Sequence, residues 1–126
     1  MTFEMLWHDI QFYKLVTNVT KDQIQLLMHH SNGCGSKGGF QFPSTMWGVN
    51  IEAACNIHDI EWYAADSYEE LLEANERFDN NLKKICDTES NTCMAWIRRM
   101  RIAKYISGVE IVGTHVYAVE RGFIGE

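Results

Sequence analysis

Residues 55–63, Cys55-Asn56-Ile57-His58-Asp59-Ile60-Glu61-Trp62-Tyr63, set a histidine and an aspartate side by side in what otherwise reads as the buried run of a helix. Ionisable side chains are costly to bury unless they are paired or engaged, so the reading of this stretch decides both the fold and the site. Ile51, Cys55, His58 and Trp62 recur at i, i+4, i+7 and i+11, the spacing that shares one helical face. Asn50 is suited to cap the start. A helix over about 50–65 is expected, with His58 and Asp59 pointing about 100° apart around it.

Working outward, residues 31–49 hold Gly33, Gly35, Gly38, Gly39 and Gly48 together with Pro43, the only proline. They read as a structured loop. Asp66 or Ser67 then starts a helix over about 67–86, with Glu69 and Glu70 in the first turn, where the helix dipole favours anions. Its apolar stripe runs through Leu71, Asn75, Phe78, Leu82, Ile85 and Cys86, and the polar residues 87–91 read as a turn. Beyond it, Ile97, Met100, Ala103 and Ile106 mark a further helix from about Thr92, whose Arg98, Arg99, Arg101 and Lys104 read as a solvated face. Upstream, Thr20 followed by Gln23 is a capping-box pattern that opens a helix to about His30. Residues 1–17 show no clean periodicity, and the tail after Gly108 is left unassigned. No repeat, linker or low-complexity segment divides residues 1–126, so one domain is expected.

Composition sets bounds on this reading. At 126 residues with 46% hydrophobic side chains, the chain can bury a core. A net charge of −6 argues against nucleic acid as a partner, since phosphate backbones are held by clustered cations. The first ten residues carry Glu4 and Asp9 and lack the features of a secretory signal. No run reaches the ~18 apolar residues of a membrane span. The expectation is a cytoplasmic protein, or one released by a non-classical route. Four cysteines allow three pairings, and sequence alone leaves their state open.

Glycines let backbone carbonyls converge, and calcium takes about six to eight oxygens from carbonyls, carboxylates and water. Asp59, on a rigid helix close along the chain, is placed to add a carboxylate to such a set. His58, around the helix from it, would sit beside the cation, where a base activating water belongs. A tetrahedral zinc site from His29 or His30, Cys34, Cys55 and His58 is the competing metal reading. It would leave the glycine loop and Asp59 without a role.

Residues 32–39, NGCGSKGG, followed by the Cys55-x-x-His58-Asp59 helix, resemble the calcium loop and catalytic helix of the phospholipase A2 superfamily. The stretch 32–86 is most similar to short bacterial and phage proteins with a phospholipase A2-like core. The resemblance implies a mainly α fold, with two long antiparallel helices, a glycine-rich calcium loop, and further helices toward each end. It implies that His58 is the catalytic base, that Asp59 binds Ca2+, and that Gly33, Gly35 and Gly38 supply loop carbonyls. The loop is one residue longer than in the secreted animal enzymes, so Lys37, Gly38 and Gly39 all stand as sources of the last carbonyl. Cys34 and Cys55 occupy positions that are disulfide-bonded in secreted members; such a bridge, closing about 20 residues, would contribute roughly 3 kcal/mol in the chain-entropy model. Phospholipid, or a membrane surface met transiently, is the implied partner, with Phe40, Phe42 and Trp47 as candidate lipid-facing residues.

Two departures bear on activity. Trp62 stands where the family has tyrosine, with Tyr63 displaced by one. The family's third-helix aspartate is replaced, in the register fixed by Phe78, by Asn75. Asn75 lies about 20° from the centre of the inward stripe and Asp79 about 60° away at its margin. An amide oxygen can hold the histidine's N–H but cannot stabilise an imidazolium as a carboxylate does. The expectation is therefore a weak calcium-dependent hydrolase of glycerophospholipid sn-2 esters; the alternative is a binding or structural module that keeps the fold.

Overall fold

Thr2 and Thr20 open the first two helices by the same device, a hydroxyl accepting from a backbone N–H of the first turn. The structure, a computed structural model, describes residues 1–31, 45–46, 49–89 and 112–125. It is mainly helical. Helix α1 spans Phe3–Tyr13, with Thr2 Oγ1 accepting from the Met5 N–H at 3.1 Å and Leu6 and Ile10 turned inward. Lys14 ends it in the left-handed region at φ 56°, its N–H returning to the Ile10 carbonyl. No helix is legible here from periodicity because Met5 and Phe12, 54% and 57% exposed, place apolar side chains on the outer face as well.

Helix α2, Lys21–Leu27, carries the capping box its sequence announces: Gln23 N–H donates to Thr20 Oγ1 at 3.2 Å and Thr20 N–H to Gln23 Oε1 at 2.8 Å. It continues into a 3-10 turn, Met28–His30. Strands β1, Thr45–Met46, and β2, Val49–Asn50, pair antiparallel with Thr45 opposite Asn50 and Met46 opposite Val49. This short hairpin lies in the segment expected to be loop, and it feeds the chain into helix α3, Glu52–Ala64. The helix starts two residues later than expected. Ile51 occupies the cap position, and Asn50 Oδ1 still accepts from the Glu52 N–H at 2.9 Å.

Helix α4 spans Tyr68–Glu89. Ser67 Oγ accepts from the Glu70 N–H at 3.2 Å, and the Glu70 carboxylate accepts in return from the Asp66 N–H at 2.6 Å. Residues 87–89, expected as a turn, are helical. They contain neither glycine nor proline, and polarity alone does not end a helix. The Thr88 hydroxyl folds back onto the Lys84 carbonyl at 2.9 Å, and Tyr13 OH donates to Glu89. A last helix, α5, covers residues 112–120.

Helices α3 and α4 lie antiparallel and bury two adjoining apolar clusters. One gathers Leu6, Ile24, Ile51, Ile57, Phe78 and Leu82; the other gathers Trp62, Leu71, Ala74, Tyr117 and Ala118. Asn81, fully buried, ties the α1–α2 connection to α4: its Oδ1 accepts from the Val16 N–H at 2.8 Å and its Nδ2 donates to the Val16 carbonyl at 2.9 Å. No helix among the described residues is long and apolar enough to cross a membrane.

Candidate functional site

His58 and Asn75 meet where the two clusters adjoin. Asn75 is 3% exposed, and its Oδ1 lies 2.6 Å from His58 Nε2. The same oxygen accepts from the Trp62 indole N–H at 3.2 Å, and Asn75 Nδ2 donates to Thr114 Oγ1 at 2.8 Å. Because the atom facing His58 is an acceptor, Nε2 is the nitrogen that donates, and in the neutral ring the lone pair then resides on Nδ1. Phe78 stacks on the imidazole at 4.6 Å between centroids, and Trp62 lies tilted against it at 4.6 Å. The Asn75 hydrogen bond and these two aromatic faces help to hold the ring.

Behind Trp62, Tyr117 stacks at 4.8 Å and 21°, and its hydroxyl donates to the Trp62 carbonyl at 3.2 Å. Arg121 closes the arrangement. Its guanidinium donates to Tyr117 OH at 2.7 Å, to the Trp62 carbonyl at 3.2 Å and to the Ala65 carbonyl at 2.9 Å. These carbonyls belong to the end of α3, where unsatisfied acceptors and the helix dipole both favour a cation. Helix α5 and the turn that follows it therefore brace the site, with Thr114, Tyr117, Ala118 and Arg121 at i, i+3, i+4 and i+7. That helical spacing was available in the sequence of the unassigned tail.

The other expected site residues fall as follows. Asp79 pairs with Lys83 at 2.8 Å and does not meet His58. Tyr63 is exposed and stacks on His30 at 3.7 Å, so it gives the histidine no support. Asp59 is 5% exposed on α3. Gly33, Gly35, Gly38, Cys34, Phe40, Phe42 and Trp47 lie outside the described residues. Cys55 is disulfide-bonded, its partner also outside them, and Cys86 is buried. A bridged Cys55 offers no thiolate, which removes a ligand from the zinc reading. Among the described residues, no group of three or more histidine, cysteine or acidic side chains converges as a metal-binding cluster.

One polar cluster had no sequence signal. Glu61, buried on α3, accepts from Arg77 Nε at 2.6 Å and from the Thr17 hydroxyl at 2.9 Å. Burial pushes its carboxyl above the ordinary value, and Arg77 and Thr17 draw it only part of the way back. Protein-family models, curated proteins and solved structures were all compared with the chain, and none matches.

Proposed function

We propose that the protein is a calcium-dependent, phospholipase A2-like hydrolase of glycerophospholipid sn-2 esters, of low intrinsic rate. One observation carries the reading: His58 Nε2 donates to Asn75 Oδ1 at 2.6 Å inside a packed aromatic setting, which leaves Nδ1 as the basic nitrogen of an oriented ring. A histidine held this way serves as a general base. His58 Nδ1 takes a proton from water as the water oxygen attacks the ester carbonyl carbon. The bond from that carbon to the glycerol oxygen then breaks, and His58 returns its proton to the departing alkoxide.

The donor chemistry suits calcium. Asp59 is a hard oxygen ligand one residue from the base, residues 33–38 include three glycines, whose carbonyls no side chain of their own crowds, and Cys55 is committed to a disulfide. Asp59 with carbonyls of Gly33, Gly35 and Gly38 would hold the ion. Bound there, calcium supplies stabilisation of the negative charge that develops on the ester oxygen. The low rate follows from Asn75. Its amide dipole orients His58 but carries no charge to set against the imidazolium formed as water is deprotonated.

The neutral Asn75, bonded to His58, Trp62 and Thr114, also favours a second reading, a phospholipase A2-like binding module that has kept the fold and lost the chemistry. Fatty-acid release from mixed phospholipid vesicles separates the two, measured with calcium, with chelator, and for His58→Ala and Asn75→Asp. The hydrolase reading expects slow, calcium-dependent release, lost in His58→Ala and raised at least tenfold in Asn75→Asp. No release from the natural sequence, with release appearing in Asn75→Asp, would establish the binding module instead.

A further inference from the structure

We propose that Trp62 is a positioning residue that sets the tautomer of His58, acting through Asn75. The inference rests on the reading of His58 as the base for its consequence, but not for its test. An amide has an accepting end and a donating end of nearly the same shape. Turned over, Asn75 would present its NH2 to His58 Nε2, and the ring proton would move to Nδ1, the nitrogen that must be basic. Something has to forbid that orientation.

Thr114 does not forbid it, because a hydroxyl accepts from an N–H or donates to a carbonyl equally well. The indole of Trp62 does. It only donates, and at 3.2 Å from the Asn75 oxygen it would meet another N–H if the amide turned over. Trp62 and Asn75 are both buried, so solvent is not at hand to replace the lost acceptor. A buried donor without an acceptor disfavours the turned-over state by roughly tenfold to a hundredfold. A tyrosine hydroxyl at position 62 would work in either direction and leave the amide free to choose. A carboxylate at position 75 would accept at both ends and make the choice irrelevant. Trp62 and Asn75 therefore act as a unit, in which a donor-only neighbour gives a neutral amide the fixed polarity that a carboxylate has by nature.

The test reads the tautomer directly, by long-range 1H–15N correlation of histidine-labelled protein at a pH where the ring is neutral. Replacing Trp62 with 3-benzothienylalanine keeps the bicyclic shape and exchanges the N–H for sulfur. The wild-type ring is expected wholly in the Nε2–H form, and the ratio of Nδ1–H to Nε2–H should rise at least tenfold on that replacement. Trp62→Phe, which removes the same N–H through a different side chain, should show the same rise. In the Asn75→Asp background neither replacement should change the ratio. A tautomer that is unmoved in the Asn75 protein overturns the proposal, as does an equal change in the Asn75→Asp background, which would mark a packing effect. Absence of lipid hydrolysis would overturn the hydrolase reading alone, since the tautomer measurement does not depend on turnover.

Discussion

Arg77→Ala should destabilise the fold by an amount that depends on pH, and the dependence follows from Glu61. The Glu61 side chain is 1% exposed and its two oxygens are held by Arg77 and Thr17. Removing one partner of a buried ion pair costs about 3–5 kcal/mol, mainly because the remaining charge is left uncompensated. Arg77 is itself 21% exposed, so water can replace part of its contribution, and about 3 kcal/mol at pH 7 is the expected loss. The sign with pH is determined by burial, which already holds the Glu61 carboxyl above its unfolded value of 4.5 while Arg77 pulls it down. Without Arg77 the folded-state value rises further. Folded protein then binds a proton that unfolded protein has released, so this contribution is complete below 4.5 and is lost as pH rises through the folded value. Each unit by which the variant's value exceeds that of the wild type adds about 1.4 kcal/mol to the gap between the two proteins at neutral pH. Urea unfolding of both proteins at pH 7 and pH 4 measures this. The expected gap falls from about 3 kcal/mol to about 1 kcal/mol or less on acidification. A gap of equal size at both pH values would refute the account.

Two further outcomes follow from the packing. Asn81→Leu leaves the Val16 N–H and carbonyl without their partner, and its urea midpoint should fall by the equivalent of about 2 kcal/mol. Arg121→Ala exposes the carbonyls at the end of α3, and thermal unfolding should report a loss of about 1–2 kcal/mol. Arg121→Lys should recover little of that loss, because an ammonium lacks the planar fork that reaches three carbonyls and a hydroxyl together.

Where a sequence signal is local, structure and sequence agree closely. Thr20 and Gln23 are three residues apart and form the capping box they suggest. His58 and Asn75 face each other because each lies on the inward stripe of its own helix, and two stripes that must bury each other leave little choice of register. Signals that depend on contrast fail. The stripe of α1 is masked by Met5 and Phe12 on its other face, and the end of α4 is hidden because Asp87, Thr88 and Glu89 are polar without being helix-breaking. Contacts between polar residues that lie on no apolar stripe or motif are not legible. Glu61 and Arg77 each resemble ordinary solvent-facing polar residues until α3 and α4 are brought together, and Thr114 reaches Asn75 across 39 positions of chain.

Trp62 carries a role that is legible only in the packed structure. A tryptophan in place of tyrosine removes a phenol, and read alone it counts against the site. In the packed structure the indole N–H reaches the very oxygen that holds His58. Trp62 and Asn75, the two departures from the pattern that the sequence resembles, then cease to be independent. A carboxylate at position 75 would accept from His58, Trp62 and Thr114 but would bring another acidic group into a helix pair that already buries Asp59 and Glu61, and burying a further charge carries a desolvation cost. An amide avoids that charge at the expense of the imidazolium, and it needs a donor-only neighbour to keep its oxygen toward His58. On the proposed hydrolase reading, the exchange favours a stable resting site over fast chemistry, the direction in which stability and activity commonly oppose one another. Asn75→Asp should therefore move both properties at once, gaining turnover and losing resting stability.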